Sequence, residues 1–324
     1  MTTFPRLPLL LALSTLAGLS ACGGGGDDPP TTGRLSLALV DAPVDEAEAV
    51  VIQFSAVELL GEDGGVRRRI ALPAPQQIDL LQLQGENNQF LFEDAVVEAG
   101  VYREIRLITD TVPGNCNSSQ ATPFPSYIRV DGTDYPLFVP SGASSGFKVR
   151  GPLTVTAGGG ASYTVEFDLR QSLAERSSPA GTCYNLRPVL RVVDNARVGT
   201  LTGAVAGDLL MAEGCSADVM TGAGAAVYVY PGSGVSPDDV GGSGSVPLTT
   251  ATLRAQTDEA GTPTGLFGYT IGFLPAGAYT VTMSCQAGED DPETDDALRF
   301  EPAVNATIAE GETTLVDFGV ARTQ

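Results

Sequence analysis

Chemistry in this chain must rest on carboxylates, hydroxyls, guanidinium groups and thiols, because the sequence contains no histidine. That removes the usual general base, the commonest metal-ligating side chain and every Ser-His-Asp arrangement. Gly142-Ala143-Ser144-Ser145-Gly146 matches G-x-S-x-G. No helical segment accompanies it to form a nucleophile elbow, and no histidine could activate the serine. Paired acids could hydrolyse a glycoside if two of them faced each other across a cleft, which linear spacing does not show. The chain is therefore expected not to be an enzyme, with a carboxylate-based hydrolase as the remote alternative.

The densest acidic run is Glu289-Asp290-Asp291-Pro292-Glu293-Thr294-Asp295-Asp296. Oxygen ligands suit calcium, so Glu289, Asp290, Asp291, Glu293, Asp295 and Asp296 are the candidates for a cation. The run lacks D-x-D-x-D-G spacing and reads first as a solvated connection between strands. Asp238-Asp239, in a Gly/Ser loop, is a weaker candidate. A third set combines Asp168 and Arg170 with Arg187 and Arg191. Period-2 alternation puts each pair on one face of its strand. Adjacent strands would make the four either a grip for an anionic ligand or, more simply, cross-strand ion pairs. Aromatic side chains for sugar stacking are scarce: tryptophan is absent, which leaves Tyr228 and Tyr230 as the best candidates.

The five cysteines divide into one and four. Cys22 ends Leu19-Ser20-Ala21-Cys22 and precedes Gly23-Gly24-Gly25-Gly26. Arg6 is a positive n-region and Leu7 to Leu19 a short apolar h-region, so residues 1–21 read as an export signal. Leu-Ser-Ala-Cys resembles the bacterial lipobox. The resemblance implies cleavage before Cys22 and addition of acyl chains (diacylglycerol, palmitate) to its sulfur and amine. Each buried CH₂ is worth about 0.8 kcal/mol, so more than one chain anchors stably. Gly23, where an aspartate would signal inner-membrane retention, implies sorting to the outer membrane. Cys116, Cys183, Cys215 and Cys285 remain, an even count in an exported chain that reads as two disulfides with three possible connectivities. The domain division described below favours Cys116–Cys183 and Cys215–Cys285, each closing roughly 70 residues for about 4 kcal/mol. Without a C-x-x-C, a zinc or redox role has no basis.

The elements that must position these residues are strands. The 39 glycines, 22 prolines and abundant Val and Thr argue for strands and turns over helices. A net charge of −21 repels nucleic acid and anionic lipid. Membrane attachment then falls to the lipid, since no later segment approaches the roughly 20 apolar residues of a spanning helix. The expected fold class is all-β: two tandem β-sandwich domains after a lipoprotein signal and a flexible tether. The tether covers 22–33, the first sandwich 34–197 and the second 198–324.

In the first, Leu35, Leu37 and Leu39 alternate before a turn at Asp41-Ala42-Pro43-Val44-Asp45. Val50, Ile52, Phe54 and Ala56 share a face, and the parity change at Val57 predicts a bulge near Ser55. Arg67-Arg68-Arg69 reads as a solvated sheet edge, and Asp131-Gly132 as a hairpin turn. In the second, Tyr279, Val281, Met283 and Cys285 are expected inward, and Thr280, Thr282 and Ser284 outward. Ala99-Gly100-Val101-Tyr102 and Ala276-Gly277-Ala278-Tyr279 look like one turn used twice.

The Asp-Ala-Pro-Val-Asp near the start, Ile-Asp-Leu-Leu at 78–81, the 165–170 strand and Leu186 to Val193 together resemble the bacterial domain-of-unknown-function family 4382, over about 33–196. Its members are often lipoproteins, and it implies a β-sandwich and no activity. Gly199-Thr-Leu-Thr-Gly203, Val227-Tyr-Val-Tyr230 and Leu274-Pro-Ala-Gly-Ala-Tyr279 resemble the carboxypeptidase regulatory-like, prealbumin-type sandwich of the carbohydrate-binding-like fold group, over about 199–321. The expected function is a membrane-anchored, non-enzymatic envelope display or interaction module with protein or glycan partners. Carbohydrate binding by the second sandwich is the alternative. No cofactor is expected, calcium being the weak exception.

Overall fold

The computed structural model describes residues 31–42, 47–110, 122–139, 146–178 and 181–320. Cys22, the signal, most of the tether, Cys116 and residues 142–145 of the G-x-S-x-G match lie outside them. Among the described residues no helix is long and apolar enough to cross a membrane.

Among the described residues the first sandwich takes twelve strands. They are β1 (Thr32–Ala42), β2 (Ala49–Gly61), β3 (Val66–Asp79), β4 (Gln89–Glu98), β5 (Gly100–Thr109), β6 (Tyr127–Val130), β7 (Thr133–Phe138), β8 (Phe147–Val155), β9 (Gly160–Asp168), β10 (Leu173–Ser178), β11 (Gly181–Leu186) and β12 (Leu190–Asp194). One helical turn, α1 (Leu169–Ser172), separates β9 from β10. A four-stranded sheet, β12-β9-β1-β4, packs on an eight-stranded one, β10-β11-β7-β6-β2-β5-β8, with β3 added to β2. Alternation explains the packing: Leu35, Leu37 and Leu39 from one sheet meet Val50, Ile52 and Phe54 from the other in a closed core. Phe167 of β9 stacks edge-on against Phe54 and Phe147, with centroids 6.2 and 6.0 Å away, and so links the two sheets.

The bulge expected near Ser55 is present, since pairing slips between Phe54 and Ala56. Asp131 and Gly132 turn with φ of 49° and 70°, the paired positive values of a tight hairpin. The Arg67–Arg69 segment is exposed on β3, and Arg69 pairs with Glu58 across the strands. Asp41 departs from its expected place in a turn. β1 continues through it because it pairs in parallel with β9 as far as Ala42 and Asp168.

The second sandwich is four strands on four. Its strands are β13 (Val198–Ala206), β14 (Ala226–Pro231), β15 (Thr249–Thr252), β16 (Arg254–Thr257), β17 (Pro263–Pro275), β18 (Gly277–Ser284), β19 (Val304–Ile308) and β20 (Thr313–Leu315). The sheets run β16-β17-β13-β20 and β15-β14-β18-β19. Val227, Val229, Val281 and Met283 meet Leu201, Val205 and Ile271 between them. Cys215 and Cys285 form the expected disulfide, Cα atoms 5.2 Å apart across 70 residues, a closure worth about 4 kcal/mol in the chain-entropy model. Cys183 is also disulfide-bonded, while its expected partner Cys116 is not among the described residues.

The outward half of the β18 alternation needs correction. Thr280, Thr282 and Ser284 are buried. The outer face of this sheet carries a second apolar cluster of Ala226, Tyr228, Tyr230, Val240 and Ala287, with Val235, Leu298 and Phe300 packed on it. The two loops after β14 and β18 supply its cover, so β14 and β18 have buried residues on both faces.

Candidate functional site: two acidic loops and the junction between the sandwiches

The loops that cover β14 and β18 are the two acidic segments. Tyr228 and Tyr230 draw them together from beneath. The Tyr228 hydroxyl donates to Asp290 Oδ2 at 2.6 Å, and Val240 N–H donates to Asp290 Oδ1 at 3.0 Å. The Tyr230 hydroxyl donates to the Asp238 carbonyl and accepts from Asp238 N–H at 3.2 Å. The Asp296 N–H then reaches Asp239 Oδ2 at 2.8 Å. Asp238 and Asp239 thus meet Asp290, Asp295 and Asp296, a convergence of two segments about fifty residues apart that linear spacing does not reveal. The one signal in the sequence is the glycine run after the acids. A Cβ on Gly241 would stand 1.8 Å from the Thr294 carbonyl oxygen, and one on Gly242 2.1 Å from Asp239 Oδ1.

The rest of the acidic run serves the loop and the junction. Asp291 Oδ1 accepts from Glu293 N–H at 2.9 Å. Asp296 accepts from Asp291 N–H at 2.8 Å and from the Thr294 hydroxyl at 3.0 Å. Glu293 takes ion pairs from Arg176 and Arg187 of the first sandwich. Glu289 is exposed at the end of a short 3₁₀ turn, Ala287–Glu289. Burial raises the Asp290 carboxyl above its ordinary range, opposed by the Tyr228 and Val240 donors.

The set Asp168, Arg170, Arg187 and Arg191 does not form one face. β9 ends at Asp168, whose side chain caps α1 by accepting from Gln171 N–H at 3.0 Å. The helical turn breaks the alternation and sends Arg170 into the second sandwich. There, 3% exposed, its guanidinium donates to the Thr250 hydroxyl at 3.3 Å and to the Ala287 carbonyl. Arg187 lies at the junction with Glu293, and Arg191 pairs with Glu166. Arg187 and Arg191 form ion pairs, but with Glu293 and Glu166 and not with Asp168. Asp168 sits apart from them as a helix cap.

A cavity of ≈ 520 Å³ lies between the sandwiches, bordered by Asp41, Glu166, Glu86, Thr250, Arg254 and Thr270 among others. Alternation did not single out Asp41 or Glu166. Both Asp41 oxygens and Glu166 Oε1 are sealed from solvent and lack hydrogen-bond partners. Burial, then the charges of Asp168, Glu166 and Asp79, push the Asp41 carboxyl well up. The Leu169 amide offsets part of this without closing a hydrogen bond to it. Carboxylate oxygens closed to the cavity are not placed to protonate a leaving group or activate water. Tyr228 and Tyr230, expected as sugar-stacking candidates, are fully buried and present no ring face to a ligand.

With its sheets in view, the first sandwich can be placed. Residues 32–188 match the family described as Domain of unknown function (DUF4382). The four-on-four architecture of β13–β20 is the kind of sandwich that the prealbumin-type resemblance implied. No curated protein matches the chain. Among solved structures, a leucine-rich repeat protein from Bacteroides thetaiotaomicron is similar at 12% identity and a TM-score of 0.22, over 90% of this chain and 26% of that one. The Bacillus anthracis TIE protein is similar at 8% and 0.17, over 89% and 50%. GBS52, the minor pilin of Streptococcus agalactiae, is similar at 12% and 0.17, over 89% and 98%. The chain spans well under two thirds of the first two. At these scores the likeness carries no argument about how this chain works.

Proposed function

We propose that the chain is a non-enzymatic display or interaction module of the bacterial cell envelope, lipid-anchored through Cys22 and held off the outer membrane by the glycine tether. The observation that carries this reading is the junction. Arg170 is buried between the sandwiches, Gln171 donates to the Pro247 carbonyl at 3.2 Å, and Gly272 N–H donates to the Gly85 carbonyl at 3.3 Å. Glu86 and Thr200 meet at 2.9 Å on the other side. Two sandwiches locked this way hold their outer faces in fixed relation, which suits presentation to a partner. The sealed acids at the junction work against a hydrolytic role.

The test is fractionation of cells expressing the full chain with its own signal, followed by cross-linking in intact envelopes. The wild-type chain is expected with the outer membrane and cross-linked to an envelope component, and Cys22→Ser in the soluble fraction. Unchanged sedimentation of Cys22→Ser removes the lipid anchor from the reading. Turnover of glycosides or esters by the purified chain removes the display role.

A further inference from the structure

We propose that Asp238, Asp239 and Asp295 bind a divalent cation of the calcium class, clamping the loop after β14 to the loop after β18. Each of the three brings a carboxylate oxygen within 4.8 Å of the other two. That is the span open to two oxygens each about 2.4 Å from one calcium ion.

The acids alone would not make a site; the state of Asp239 does. Asp239 is 1% exposed. Its Oδ2 is satisfied by Asp296 N–H, but its Oδ1 is buried with no hydrogen-bond partner. A buried, unpaired carboxylate oxygen costs its desolvation with no return. The orphan oxygen is aimed at its neighbour. The Cβ position of Gly242 lies 2.1 Å from Asp239 Oδ1 and 2.6 Å from Asp238 Oδ2, so the two oxygens come together against a stretch of backbone that only glycine fits. Gly244 N–H holds Asp238 Oδ2 in place at 2.7 Å, and Asp295 joins the pair from the exposed side.

A second trio, Asp239, Asp290 and Asp296, is equally compact, but Asp290 and Asp296 are already satisfied. Tyr228 and Val240 take both Asp290 oxygens, and Asp291 N–H and Thr294 take those of Asp296. This trio forms the floor and the first forms the mouth. Arg176 and Arg187 spend their ion pairs on Glu293, and none of the described ion pairs falls on Asp238, Asp239 or Asp295. All three donors are carboxylate oxygens, a set that suits calcium over softer metals.

The experiment uses the full chain with Tb³⁺, then Ca²⁺, as probes. The chain has no tryptophan. Tyr228 and Tyr230 both bond into the loop pair, so terbium bound there is excited through tyrosine. The expected results are saturable sensitised emission, its displacement by Ca²⁺, and a melting temperature higher in Ca²⁺ than in EDTA. Asp295→Asn, on an exposed side chain, keeps the fold and weakens Ca²⁺ about tenfold or more, since charge count tunes such sites. Asp239→Asn abolishes binding without lowering the melting temperature in EDTA. A distant exposed acid changed in the same way, Glu259→Gln, leaves affinity unaltered. The proposal is overturned by equal melting in Ca²⁺ and EDTA with no sensitised emission. Binding of the same strength in Asp295→Asn and in Glu259→Gln overturns it too, since that marks diffuse attraction to an acidic surface.

Discussion

Asp41 is an electrostatically costly position. It is 4% exposed, both oxygens lack partners, and Asp168 and Glu166 are close enough to raise its carboxyl further after burial itself. Asp168 is likewise pushed up, to about 6, by burial, against the pull of two Gln171 hydrogen bonds. Both shifts have the same sign of consequence. Above the ordinary carboxylate range the folded chain holds protons that the unfolded chain has lost, so folding stability is greatest at the acid end. It falls as pH rises through the folded values, for Asp168 between about pH 4 and pH 6. Urea unfolding is therefore expected to give higher stability near pH 5 than near pH 7. Asp41→Asn should flatten that dependence; a pH profile identical to wild type would remove Asp41 from the account. None of this was legible in the sequence, where Asp41 reads as a turn residue before Pro43. Only pairing with β9 keeps it in a strand.

At the scale of elements, the repeated Ala-Gly-x-Tyr turn shows what local patterning can carry. Tyr102 donates to the Glu98 carbonyl and Tyr279 to the Pro275 carbonyl, each at 2.7 Å and each four residues upstream. One local arrangement therefore locks a turn in each sandwich. The strands that follow differ because β5 slips its pairing with β8 between Tyr102 and Glu104, which accounts for the change of parity at Ile105. Tyr102→Phe and Tyr279→Phe are each expected to cost about 1 kcal/mol, read by denaturant unfolding. A loss from only one of them would break the equivalence. The bulge at Ser55, the Asp131-Gly132 hairpin and the Cys215–Cys285 bridge were legible for the same reason: turn chemistry and period-2 burial act over a few residues, or within one sandwich. Alternation misled where a further layer intervened. Thr282 is buried because loop residues cover its face, and Arg170 leaves its strand because Asp168 caps a helical turn.

At the scale of the molecule, Arg170 joins the halves. Arg170→Ala leaves the Ala287 carbonyl and Thr250 without their donor and should cost about 2–4 kcal/mol. Scanning calorimetry is expected to show one transition for the wild type and two for Arg170→Ala, one for each sandwich. A single transition unchanged in temperature would show that the junction does not depend on this residue. By itself, the sequence determined the β class, the two sandwiches with many of their inward residues and some of their turns, the export and lipid signals expected at Cys22, and the exclusion of histidine chemistry. Each of these follows from composition or from patterns a few residues long. Only the tertiary structure decided which polar residues share space: Asp238 and Asp239 with Asp295, Arg170 with Ala287, and Asp41 with Glu166. The physical reason is that a carboxylate or guanidinium takes its character from neighbours brought by other strands and loops, and spacing along the chain does not encode that proximity.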